Sequence, residues 1–92
     1  MPLVEMTSHL YRFFPVLENR EIKVSAGSVA DVLREVDAIA PGFSDYVINE
    51  RGALRRHVKI SINNTLVIDR KMLSDHVPDG ATLYIFQSLS GG

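Results

Sequence analysis

Hydrophobic and polar residues alternate at the start of this chain. From Val4 to about Phe14 it is rich in aromatic and β-favouring types, and Val4, Met6 and Leu10 share one side of a period-two pattern, which predicts a first strand. Pro15 to Asn19 supplies turn chemistry. Ile22 and Val24 then fall on one face of Arg20 to Val24, so a second strand is expected to return antiparallel to the first and to close at Ala26-Gly27. The period changes at Ser28. Val29, Val32, Leu33, Val36 and Ile39 follow at spacings of three and four, and Ser28 with Asp31 forms a variant capping box at the helix start. The helix stops at Ala40, because Pro41-Gly42 cannot continue it. Phe43, Tyr46 and Val47 have the spacing of one more helical turn before Arg51-Gly52 interrupts.

Alternation returns with Val58, Ile60 and Ile62 against Lys59, Ser61 and Asn63, a half-buried strand ending at an Asn63-Asn64 turn. Thr65 to Ile68 is short and β-branched and is expected to be its hairpin partner. Met72, Leu73 and Val77 are assigned to an irregular stretch covering the core, Pro78-Asp79-Gly80 to a tight turn, and Ala81 to Phe86 to the last strand. The order predicts an α+β domain, a mixed sheet of four to five strands packed on one main helix.

At 92 residues the chain suffices for one domain and not two, and at 46% hydrophobic and 23% charged it has the composition of a folded protein. The formal net charge of −1 provides no global field toward nucleic acid or an anionic membrane, so recognition must rely on local patches. With no cysteine, disulfides, thiolate metal sites and thiol nucleophiles are excluded within these residues. No apolar run reaches the length of a membrane span, and Met1 to Thr7 lacks the features of a secretory signal, so a soluble cytoplasmic protein is expected.

Conventional catalytic patterns are missing. His9, His57 and His76 have no metal-ligand spacing, so no metal is expected, and Ser25-Ala26-Gly27-Ser28 lacks the glycine and lysine pattern of a phosphate loop. Asp31, Glu35 and Asp37 lie where carboxylates favour a helix dipole and water. Arg51, Arg55, Arg56, His57 and Lys59 form one basic cluster without interleaved aromatics, which reads as a solvated loop or as a docking surface for an acidic partner rather than as an RNA site.

The last strand and the residues after it are more informative. If Leu83 and Ile85 face the core, Tyr84 and Phe86 face the other way, where the single helix does not cover them, and Leu89 adds an apolar residue to a polar tail. Exposed aromatics of this kind are candidates for protein contact. Residues 1–86 are therefore expected to form the domain and 87–92 a flexible tail ending in Gly91-Gly92. Glycines lack Cβ atoms and can thread a channel that excludes even alanine, which leaves the terminal carboxylate as a group able to enter a partner's active site.

Taken together, the strand-turn-strand-helix start, the stretch Val58-Lys59-Ile60-Ser61-Ile62-Asn63-Asn64-Thr65-Leu66-Val67, the stretch Val77-Pro78-Asp79-Gly80-Ala81-Thr82-Leu83-Tyr84-Ile85-Phe86 and the final Gly91-Gly92 resemble the ThiS/MoaD sulfur-carrier family. The likeness is sharp over the last third of the chain and generic before it. It implies a ubiquitin-like β-grasp fold and a protein co-substrate that is not itself an enzyme and binds no cofactor. A ubiquitin-activator-like partner would use ATP to adenylate the carboxylate of Gly92. A sulfurtransferase or other sulfur donor would convert the product to a thiocarboxylate, and a downstream biosynthetic enzyme (for cysteine, molybdopterin, thiamine or another metabolite) would accept the sulfur. By the same resemblance Gly91 and Gly92 match the reactive motif, and Phe86 and Leu89 match apolar positions that contact the activating enzyme. Gln87 and Ser88 stand where relatives often carry prolines. The longer, more basic segment from Phe43 to His57 is nearer the pattern of the cysteine-synthesis carriers. A ubiquitin-like modifier joined to lysines through Gly92, and an interaction module using only Tyr84 and Phe86, remain open on the same residues.

Overall fold

The computed structural model describes residues 1–87. In chain order the elements are β1 (Leu3–Met6), α1 (Ser8–Phe13), one 3₁₀ turn (Pro15–Leu17), β2 (Ile22–Lys23), β3 (Gly27–Ser28), α2 (Val29–Ile39), α3 (Phe43–Val47), β4 (Val58–Ile62), β5 (Thr65–Leu66), β6 (His76–Val77) and β7 (Thr82–Gln87).

Strands from the two ends of the described chain form the middle of the sheet. β1 and β7 are parallel, Val4 opposite Leu83 and Met6 opposite Ile85. A parallel pair needs a long crossover, and the rest of the domain supplies it. β2 returns antiparallel to β1, β4 lies antiparallel to β7, and β5 forms the edge, giving the order β2-β1-β7-β4-β5. This is the expected mixed sheet, at five strands.

Period-two geometry sends Val4, Met6, Ile22, Val58, Ile60, Leu83 and Ile85 to one face, where all are buried in a single cluster with Val29, Val32, Leu33 and Val36 of α2. The helix starts where the capping box predicts. The Asp31 amide donates to Ser28 Oγ at 3.1 Å and the Ser28 amide donates to Asp31 Oδ2 at 3.4 Å. Gly42, at φ +98°, turns the chain into α3, and Asp37 Oδ1 accepts the Gly42 and Ser44 amides at 3.2 and 2.9 Å. In the turn between β4 and β5, Asn63 and Asn64 adopt φ of 49° and 72°, the left-handed pair that a two-residue turn between twisted strands requires.

Four expectations are corrected. The first strand ends at Met6, and Ser8–Phe13 is helical. Leu10 satisfies a spacing of four from Met6 as well as an even spacing, and it is fully buried from the helical turn while Phe14 packs edge-on against Phe43 at 5.2 Å. A second, two-stranded sheet joins Gly27–Ser28 to His76–Val77; pieces this short show no alternation in sequence. Met72 is 75% exposed, whereas Leu73, held at φ +55°, and Val77 are buried as expected. Gln87, assigned to the tail, is the last residue of β7 and stands opposite Val58.

Candidate functional site

α2 packs on one face of the sheet, and the alternate residues of β1, β4 and β7 point to the other. Register builds rows across it. Glu5 of β1, Tyr84 of β7, Ser61 of β4 and Leu66 of β5 are aligned, and in the next row Phe86 stands beside Lys59. Leu83 and Ile85 are fully buried while Tyr84 and Phe86 are half-buried, so the alternation expected for the last strand is observed. Their rings pack together with centroids 5.6 Å apart and planes inclined by 38°. Two residues apart on a strand, they make one continuous aromatic surface. Beside it lies a hollow of about 440 Å³ lined by Glu5, Ser61, Asn63, Asn64, Thr82 and Tyr84.

The arrangement suits contact rather than catalysis. Polar groups around the hollow support the fold: the Asn63 side-chain oxygen accepts the Thr82 amide at 3.0 Å, tying the hairpin turn to the start of β7. Among the described residues no group of His, Asp or Glu side chains is placed to hold a metal ion, and no helix is long and apolar enough to cross a membrane.

Phe86 leads through Gln87 toward the end of the chain. Leu89, Gly91 and Gly92, the other expected site residues, lie outside the described residues. Because Gln87 pairs with Val58, the residues just before β4, Arg55, Arg56 and His57, are found at the same end of the sheet. Arg55 is tied down, its guanidinium donating to the Asp45 carbonyl at 2.9 and 3.2 Å. Arg70, which the sequence did not connect with this cluster, donates to the Arg55 carbonyl at 2.9 Å. No local pattern signals that approach across fifteen residues; the β4–β5 hairpin and the Leu54 amide, which donates to the Arg70 carbonyl at 2.8 Å, bring it about.

These features define a ubiquitin-like β-grasp domain presenting an aromatic strand at its centre. No family model and no curated protein sequence matches the chain. Solved structures do. The chain is similar to CysO in the BexX/CysO complex of Amycolatopsis orientalis, with a TM-score of 0.84 and 21% identity over 100% of both chains. It is similar to CysO of Mycobacterium tuberculosis at a TM-score of 0.81 and 21% identity, covering 97% of this chain and 100% of that one. SAMP1 of Haloferax volcanii matches with a TM-score of 0.74 and 21% identity over 99% of this chain and 98% of its own. The β-grasp fold implied by the ThiS/MoaD resemblance is thus the fold observed.

Proposed function

We propose that this protein is a sulfur carrier, a co-substrate rather than an enzyme, acting in the cytoplasm through the carboxylate of Gly92. The observation that supports the reading best is the pairing of full-length likeness to CysO with a Gly91-Gly92 sequence separated from Gln87, the last residue of β7, only by Ser88, Leu89 and Ser90. A carboxylate is a poor electrophile. An activating partner overcomes this by letting a carboxylate oxygen attack the α-phosphorus of ATP, which releases pyrophosphate and leaves an acyl-adenylate. The outer sulfur of a donor protein's persulfide then attacks the acyl carbon and expels AMP, and a thiol attacks the donor-side sulfur of the resulting acyl disulfide, forming a disulfide with the donor and releasing the thiocarboxylate for the accepting enzyme. In this reading Gly91 and Gly92 enter the partner's channel because they carry no side chains. Tyr84, Phe86 and Leu89 form the apolar contact that holds the carrier while they do so. ATP is consumed by the partner and no cofactor resides on the carrier.

The test is reconstitution with the adenylating enzyme, ATP and a sulfur source. Intact mass should rise by the difference between sulfur and oxygen, and Gly92→Ala should abolish the gain while leaving the fold unchanged. An unchanged mass with the genuine partner would refute the proposal.

A second reading has an observation of its own, the likeness to SAMP1, a small archaeal modifier protein. There the same activated Gly92 would form an isopeptide bond with a lysine amine, AMP leaving in the same way. Covalent adducts carrying this chain in a cell lysate would select it.

A further inference from the structure

Charge is unevenly spread along this chain. Six of the ten Lys and Arg fall within residues 51–71, where Asp69 is the one acidic residue, although the whole chain is nearly neutral. Folding concentrates them further. A groove of about 580 Å³ opens at the β5 edge, its walls carrying Arg56, Lys59 and Arg70 and its apolar surface made by Leu54, Leu66 and Val67. Leu54 and Val67 are 6% and 9% exposed and form a floor, while Leu66, at 53%, stands at the rim. Among the described residues no carboxylate lines this groove.

Nearby acids are committed elsewhere. Asp69 accepts the Met72 and Ser74 amides and the Ser74 hydroxyl, and Asp75 accepts the Ile68 and Asp69 amides. Both carboxylates thus shape the loop after β5. Among the described residues the ion pairs are Met1 with Asp79, Lys23 with Glu21 and Arg34 with Asp31, so Arg56, Lys59 and Arg70 pair with no carboxylate. Arg70 is oriented by its bond to the Arg55 carbonyl, and Arg56 and Lys59 extend into solvent.

Three cations around an apolar floor complement a segment that carries carboxylates on either side of an aliphatic or aromatic residue. We infer that this groove is a docking site for an acidic, apolar-anchored segment of a protein partner. The anchor sits over Leu54 and Val67, and its flanking carboxylates pair with Arg56, Lys59 and Arg70. A single-stranded RNA is the less suited occupant, since among the described residues no aromatic side chain lines the groove for a base to stack on. The inference does not rest on the proposed chemistry at Gly92, and its test does not depend on that chemistry.

A fluorescein-labelled peptide of alternating Asp and Glu interrupted by one Leu and one Phe serves as the probe, titrated into the full chain and followed by anisotropy and amide chemical shifts. Saturable binding is expected, with the largest shifts at Arg56, Lys59, Leu66 and Arg70, and with affinity falling as salt rises. Arg56→Glu combined with Lys59→Glu should weaken binding by about tenfold or more. Neither side chain makes a hydrogen bond among the described residues, so the unfolding midpoint should stay in place. Leu66→Glu, at the exposed rim, should block the groove independently. Tighter binding of an RNA oligonucleotide than of the peptide, shifts confined to Tyr84 and Phe86, or wild-type affinity in both variants would overturn the inference.

Discussion

Lys59 of β4 stands in register with Phe86 of β7, so the outer face of the sheet places a cation directly beside its aromatic pair. Phe86 is half-buried and alternates with the core residues Leu83 and Ile85, on the face of the sheet opposite α2. Under the proposed function, truncation should therefore remove surface offered to the activating enzyme more than surface the fold needs. Phe86→Ala is expected to lower stability by about 1–2 kcal/mol, well short of a core truncation. It should weaken engagement of the activating enzyme by about tenfold or more, seen as a rise in KM with kcat little changed. Urea unfolding and adenylation kinetics on the same variant separate the two effects.

The hairpin turn offers a paired substitution. Asn63 and Asn64 both have positive φ, but among the described residues only the Asn63 side chain has a partner across the sheet, the Thr82 amide. Asn63→Ala should cost about 2 kcal/mol, about half from the left-handed backbone and half from the lost hydrogen bond. Asn64→Gly removes the backbone penalty and loses no such bond, so it should be neutral or slightly stabilising. The midpoints of urea unfolding should move in those two directions.

How much of the fold and site is legible in the sequence depends on whether an element has a period. Val58-Ile60-Ile62 and Leu83-Ile85 alternate cleanly, α2 carries a full stripe from Val29 to Val36, and all three are placed from sequence, as is the outward turn of Tyr84 and Phe86. Leu10 fits both periods, and only packing around Phe14, Phe43 and Tyr46 decides for the helix. The β3–β6 pairing and the approach of Arg70 to the Arg55 carbonyl join residues far apart in sequence through a few contacts each, and no local pattern encodes those. The basic cluster is visible as residues, but its groove is not, because Leu66 and Val67 reach it only through hairpin register.

Acid should reveal two carboxylates, one in the first turn of α2 and one in the loop after β5. Asp31 is held below its ordinary value of 3.8 chiefly by the Ser28 amide, then by the Ser28 hydroxyl and Arg34. Asp69 is lowered first by the Ser74 hydroxyl and then by the Met72 amide. A depressed carboxylate contributes stability that is fully present above its unfolded pKa and is lost as pH falls through the folded one, so both contributions fade below pH 3.8. Asp31→Asn should therefore flatten the acid side of a plot of unfolding midpoint against pH, leaving the fall due to Asp69. An acid limb identical to wild type would contradict the assignment.

The two helix starts make opposite predictions about a hydroxyl. At α2 the Ser28 hydroxyl accepts the Asp31 amide, so Ser28→Ala should cost about 1 kcal/mol. At α1 the corresponding residue is Thr7, whose side chain makes no capping bond and whose Oγ1 is buried with no partner among the described residues. Burying an unpaired hydroxyl is unfavourable, and valine replaces it with a methyl of nearly the same shape. The extended backbone of Thr7, φ −67° and ψ 151°, suits a β-branched residue equally well. Thr7→Val should accordingly be neutral or stabilising by up to about 1 kcal/mol. Thr7→Ala, which leaves the space empty, should do less well than valine. Urea titration of the three variants in one buffer tests the sign, and a loss of stability in Thr7→Val comparable to that in Ser28→Ala would show that the hydroxyl has a partner after all.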